Sequence, residues 1–131
     1  MDKVLYLFGT ALGALSIVLG AFGAHGLKEL VSAEAIQSFE TGVRYQMYHA
    51  LFLLVLGNIN VLSNKSKKLI CYFVVAGVCL FSFSIYALAT NTLTYFDFRV
   101  FGFITPIGGL LLIAAWSILF TKLLINTSKK G

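Results

Sequence analysis

Charge is what this sequence has least of. Lysine and arginine number ten and aspartate and glutamate five, so charged residues make up 11% of the 131 residues, against about a quarter in ordinary soluble domains. A soluble globular domain is excluded on that ground. Acids are the scarcest, and no two are arranged as the carboxylate pair that hydrolysis needs. The two cysteines, Cys71 and Cys79, lie eight residues apart in one apolar stretch. That is about 12 Å along a helix, too far for a disulfide, so they read as small packing residues. With two histidines there is no Cys–His set, no His-x-x-x-His and no Glu-x-x-His. The usual ligand patterns of zinc sites and di-iron bundles are therefore absent. Nothing resembles a Ser–His–Asp or Cys–His nucleophile. We predict no catalytic residue, no metal site and no cofactor.

What remains is apolar: 59% of residues are hydrophobic and the mean hydropathy is +0.90. Four stretches are nearly free of charge, at 4–24, 45–62, 69–90 and 106–125. A hydrocarbon core of about 30 Å needs roughly 20 helical residues, so each stretch suffices for one crossing. Backbone groups in lipid must bond within their own segment, which makes such crossings helical. The fold expected is all-α, a single-domain four-helix integral membrane bundle. The first apolar run is about twice the 7–15 residues of a signal peptide, and Asp2 offsets Lys3, so it reads as a retained span.

A net charge of +5 would suggest nucleic acid in a soluble protein; here its distribution argues for topology instead, and no nucleic-acid partner is expected. With four crossings both termini and the middle loop share one side. That side carries Lys3, Lys65, Lys67, Lys68, Lys122, Lys129 and Lys130. The other carries Lys28, Arg44 and Arg99 together with Glu29, Glu34, Glu40 and Asp97. Basic residues accumulate on the cytoplasmic side, so both termini are predicted to be cytoplasmic in a bacterial inner membrane.

Gly9, Gly13, Ser16, Gly20 and Gly23 recur at spacings of four and three along the first span, beside a bulky row of leucines and phenylalanines. Small residues let helices approach closely in lipid, so the small row is expected to face a neighbour, within the chain or in a homo-oligomer. Gly108 and Gly109, opening the fourth span, are expected to pack likewise. Ser32 can cap a helix whose apolar positions Ile36, Phe39, Val43 and Met47 follow helical spacing. We expect an extra amphipathic helix between spans one and two that continues into the second, with Gly42 as the bend. Tyr95, Phe96, Phe98, Phe101 and Phe103 suit the membrane interface. Thr105–Pro106 reads as cap and first helical position, the competing reading being a helix kinked at Pro106. Trp116 falls mid-span, and its indole N–H needs a partner.

The second span opens with Glu40, Arg44, Tyr45, Tyr48 and His49, residues three to four apart that form one helical sector. Ionisable groups at membrane depth usually face a bundle interior or water. By the inferred topology His25, Tyr86 and Thr105 share the non-cytoplasmic end with them. His25, Glu40, Arg44, Tyr45, Tyr48, His49, Tyr86 and Thr105 therefore form the candidate polar site. The plainer readings are a helix-ending interfacial His25 and a bundle-tying hydrogen bond at His49.

"GAFGAHGLK" (Gly20 to Lys28), "TGVRYQMYHAL" (Thr41 to Leu51) and "ITPIGG" (Ile104 to Gly109) followed by Trp116 resemble the small bacterial membrane proteins catalogued as domain of unknown function 423. The likeness runs in order over essentially the whole chain. It departs at "LFSFSIYAL", where Phe83 replaces the usual glycine between two serines. The resemblance implies a four-span inner-membrane protein and carries no activity, substrate or cofactor. From the residues we expect a non-enzymatic membrane protein whose polar non-cytoplasmic end binds a partner or small ligand, its partners being the bilayer and a membrane protein or second copy. The alternatives are a small proton-linked transporter or channel subunit and, third, a haem-binding protein using both histidines.

Overall fold

The computed structural model describes residues 1–95 and 97–130, without the side chains of 98, 101 and 127–130. Its helices are α1 (Asp2–Ala24), α2 (Ala33–Gly57), α3 (Asn64–Val78), α4 (Ser84–Ala89) and α5 (Ile104–Lys130). A π-helical turn, Cys79–Phe83, joins α3 to α4 into one rod. There is no strand among the described residues. Three segments are long and apolar enough to cross a membrane: Asp2–Glu29, Asn64–Ala89 and Ile104–Asn126. The remaining helix, α2, carries Glu40, Arg44, Gln46 and His49 and does not reach that apolarity.

The small row of α1 is covered by α2, antiparallel to it. A methyl group at Gly9 would lie 2.9 Å from the Ala50 carbonyl oxygen, and one at Gly23 would lie 2.9 Å from the Phe39 ring. Gly13 faces Ala50 and Met47, and Gly20 faces Val43. Near the far end of α2 the Tyr6 ring fills the space that Gly57 leaves. The row is thus consumed within the chain, and the expected homo-oligomer contact through it is not available in this fold.

Ser32 does cap α2, accepting the Ala35 N–H at 3.1 Å. The amphipathic helix expected ahead of the second span is the first half of α2 and runs on into it as expected, with a 3₁₀ turn (Leu27–Glu29) before it. Gly42 marks no break in α2; its missing side chain admits the Tyr86 ring. The helix also ends earlier than the expected span, at Gly57, where Asn58 bonds back to Leu54 and Val55. At the start of α5, Thr105 and Pro106 are the second and third helical residues, not cap and first. Pro106 still falls in the first turn, where backbone N–H groups have no intrahelical partner. Of the interfacial aromatics, Tyr95 is fully exposed; Phe96 and the side chains of Phe98 and Phe101 lie outside the described residues.

Two clusters form the core. The larger, around Leu5, Leu53, Leu56, Ile70, Val74 and Ala115, fills the half containing both termini. The smaller, Leu27, Phe39 and Ala89, closes the other end. Along the rod of α3, π turn and α4 the row Ile70, Val74, Val78, Ser82 and Tyr86 advances four residues per step. A straight α-helix rotates such a row by about 40° per step. The π turn winds less per residue and so returns Ser82 and Tyr86 towards the same face. Gly108 of α5 sits directly on the backbone of that turn: a methyl there would overlap the Phe81 nitrogen.

Candidate functional site

Gly42, Gln46, His49 and Leu53 follow one buried face of α2. His49 is 4% exposed. Its Nδ1 lies 2.7 Å from the Tyr45 carbonyl oxygen, and its Nε2 lies 3.0 Å from the Trp116 indole nitrogen. A carbonyl only accepts and an indole N–H only donates. His49 is therefore the neutral tautomer with its proton on Nδ1, and both nitrogens are engaged. Haem or metal ligation there would require losing the Trp116 bond. Phe52 packs edge-on to Trp116 with ring centroids 4.5 Å apart, holding the indole in place.

Gln46 is fully buried and bridges three helices. Its Nε2 donates to the Leu12 carbonyl of α1 at 2.9 Å, while its Oε1 accepts from the Tyr86 hydroxyl of α4 at 2.6 Å. Ser82 of the π turn donates to the Gly42 carbonyl at 2.8 Å. Ser84 donates to the Leu80 carbonyl at 2.6 Å, so the Thr105 hydroxyl, 2.6 Å away, is the donor to Ser84. Each tie links neighbouring elements, and no buried side-chain nitrogen or oxygen among the described residues lacks a partner.

The remaining candidates stand apart from this network. His25 ends α1 and is exposed; Glu40 and Arg44 are exposed on α2, with Arg44 Nη2 bonded to Thr41 Oγ1 at 3.0 Å. Tyr45 and Tyr48 are both partly exposed, their rings 5.6 Å apart. The two histidines do not meet. Gly23, beside His25, packs on Phe39, whereas Ala50, beside His49, packs on Gly9 and Gly13. Ten residues of α2 separate the two levels, about 15 Å. His49 thus lies nearer the middle of the bundle than His25 does.

Between α2 and α5 an open groove of about 390 Å³ is lined by Tyr45, Phe81, Gly109, Leu112, Ile113 and the His49–Trp116 pair. Among the described residues no three His, Cys, Asp or Glu side chains gather to hold a metal. In the loop before α5, Arg99 Nε donates to the Asp97 carboxylate at 3.0 Å, and the same carboxylate accepts the Arg99 backbone N–H at 3.0 Å, capping the 3₁₀ turn Phe98–Phe101. These hydrogen bonds lower the Asp97 pKa to about 2. Gln46 is the residue that sequence reasoning missed. Its signal was available: an uncharged amide inside a span, four residues beyond a glycine, is itself the mark of an interhelical tie.

Long apolar helices whose deep polar side chains are bonded within the chain are the marks of a multi-pass membrane protein. The family described as "Protein of unknown function (DUF423)" matches residues 19–109. A UPF0382 membrane protein of Staphylococcus haemolyticus is 38% identical over 127 residues, covering 97% of each chain. The UPF0382 membrane protein YwdK of Bacillus subtilis is 37% identical over 119 residues, 87% of this chain and 90% of its own. The UPF0382 inner membrane protein YgdD of Escherichia coli is 32% identical over 134 residues, covering 99% and 95%. The chain belongs to this DUF423/UPF0382 family of bacterial cytoplasmic-membrane proteins. No solved structure matches it.

Proposed function

We propose that this is a non-enzymatic four-span protein, both termini cytoplasmic, that receives a helix of a membrane-embedded partner in the groove between α2 and α5. Four crossings follow if α2 returns as deep as α1 goes. Its contacts run from Gly23 to Tyr6 along α1, and Lys67 at the start of α3 bonds Asp2 at the start of α1. The basic residues gather at that end, which supports a cytoplasmic assignment.

The observation that carries the reading is that the deep polar side chains are committed to one another. Gln46, His49, Ser82, Tyr86 and Trp116 each have a partner inside the chain. Beneath His49, Phe52, Leu53 and Leu56 are buried in the aliphatic cluster, which favours a scaffold over a proton path. What stays accessible is the groove, with the Tyr45 ring on its wall and Tyr48 beside it. A photoreactive residue at Ile113 should cross-link one discrete protein in cells, and Gly109→Leu, which narrows the groove, should abolish that product at unchanged protein level. Equal cross-linking from Ile17 on the far face, or indifference to Gly109→Leu, would sink the proposal.

A further inference from the structure

The opposite end of the molecule holds a second, cationic site. There Ser63 caps α3, its hydroxyl accepting the Ser66 N–H at 3.2 Å. Lys65 and Lys68 on the first turns of α3 and Lys122 on α5 surround Ser63 and Ser66 in a groove of about 520 Å³. Lys67, between them in sequence, turns inward instead. It is 3% exposed and takes the Asp2 carboxylate at 2.9 Å. Asp2 is the one acid in the sequence near this end. Neither ion pair among the described residues involves Lys65, Lys68 or Lys122. Lys65, Lys68 and Lys122 thus line a groove with hydroxyl-bearing walls and have no ion-pair partner among the described residues, and an external anion is their complement.

Two apolar grooves of about 310 Å³ each lead away from this cradle. One, between α1 and α3, shares Lys68 and Tyr72 with it and is walled by Val4, Phe8 and Val75. The other, between α3 and α5, shares Leu69 and Lys122 and continues past Ile118 and Ser117. From Lys68 to Val75 the first descends about 10 Å along the helix. Lys68 Nζ stands 5.8 Å over the Tyr72 ring, which keeps its charge at the junction of cradle and groove. Basic pockets between spanning helices are suited to anionic headgroups. A soluble phosphate ester would use only the cradle; the paired apolar grooves fit two acyl chains.

We propose that this end binds an anionic two-chain phospholipid, its phosphodiester held by Lys65, Lys68 and Lys122 and its chains in the two flanking grooves. The test is native mass spectrometry of the full chain in neutral detergent with equimolar dioleoyl-phosphatidylglycerol and dioleoyl-phosphatidylcholine. The phosphatidylglycerol adduct should dominate. Each lysine contributes about fivefold in affinity, so the triple Lys→Gln variant should lose on the order of 100-fold, down to the phosphatidylcholine level. Lys28→Gln at the other end should change nothing. The triple Lys→Arg variant should retain the adduct, and both triple variants are to show wild-type circular dichroism. Val4→Trp, which fills one apolar groove, should weaken lipid retention with the lysines intact. Equal retention of the two lipids, or of phosphatidylglycerol by the Gln variant, overturns the proposal. So does displacement of the lipid by inorganic phosphate or glycerol 3-phosphate at the same concentration, which would make the site one for a soluble anion.

Discussion

The two halves of the bundle are held together in different ways. Towards the termini, Leu5, Leu53, Leu56, Ile70 and Val74 interlock as a fully buried aliphatic cluster. Towards the other end, hydrogen bonds cross between helices at Gln46, Tyr86, Ser82, His49 and Thr105, and glycine lies on bare backbone at Gly108. In lipid the hydrophobic effect does not drive helices together, so both halves rely on close packing and polar contacts. The contrast shows why a cluster of polar residues at membrane depth is no sufficient sign of a binding site. In this chain most of those residues are mutual partners, and Lys65, Lys68 and Lys122 at the plainer end take part in no ion pair among the described residues.

The largest effect should come from Gly108→Leu. Its side chain would have to displace the Leu80–Phe81 backbone, not a flexible side chain, and overpacking costs roughly 1–3 kcal/mol or more. We expect loss of the folded state in detergent, read by thermal unfolding, while Gly109→Ala stays close to wild type because its nearest neighbour is the Phe81 ring at 3.7 Å. Next, Leu56→Ala in the aliphatic half should cost about 2–4 kcal/mol through an unfilled cavity. Gln46→Leu in the polar half should cost less, about 1–2 kcal/mol for two interhelical bonds. If Gln46→Leu were the costlier of the two, the division between the halves would be misdrawn.

The smallest effect is at the loop. Asp97 is held at about 2, below its ordinary 3.8, by hydrogen bonds from Arg99. A depressed carboxylate stabilises the fold above its unfolded pKa and loses that contribution as pH falls through the folded one. Unfolding of wild type and Asp97→Asn should therefore differ slightly at pH 7 and converge between about pH 4 and pH 2. A difference that grew on acidification would contradict the pairing.

Much of this architecture was legible beforehand. Apolar run length marks α1, the rod from α3 to α4 and α5, Ser32 marks the start of α2, and the Gly9–Gly23 row marks a covered face. The depth of His49 relative to His25 was not legible, because it depends on the register of α1 against α2, which only contacts such as Ala50 on Gly9 reveal. The π turn has no local signature; it follows from bringing Ser82 and Tyr86 back onto the α2-facing side. Lys65, Lys67 and Lys68 look alike in sequence, yet one is buried on Asp2 and two are exposed. Ranking residues by charge hid Gln46, whose amide can both donate and accept and so joins three elements.

The most direct test of the account is the protonation of the His49 ring, measured by ¹⁵N NMR of selectively labelled protein in bicelles at neutral pH. The expected result is a neutral ring with a protonated Nδ1 and a hydrogen-bonded, acceptor-type Nε2. The Nε2 shift should move towards that of a free acceptor in Trp116→Phe. A proton on Nε2, a charged ring, or a spectrum unchanged by Trp116→Phe would contradict the claim that His49 is committed to holding the bundle together.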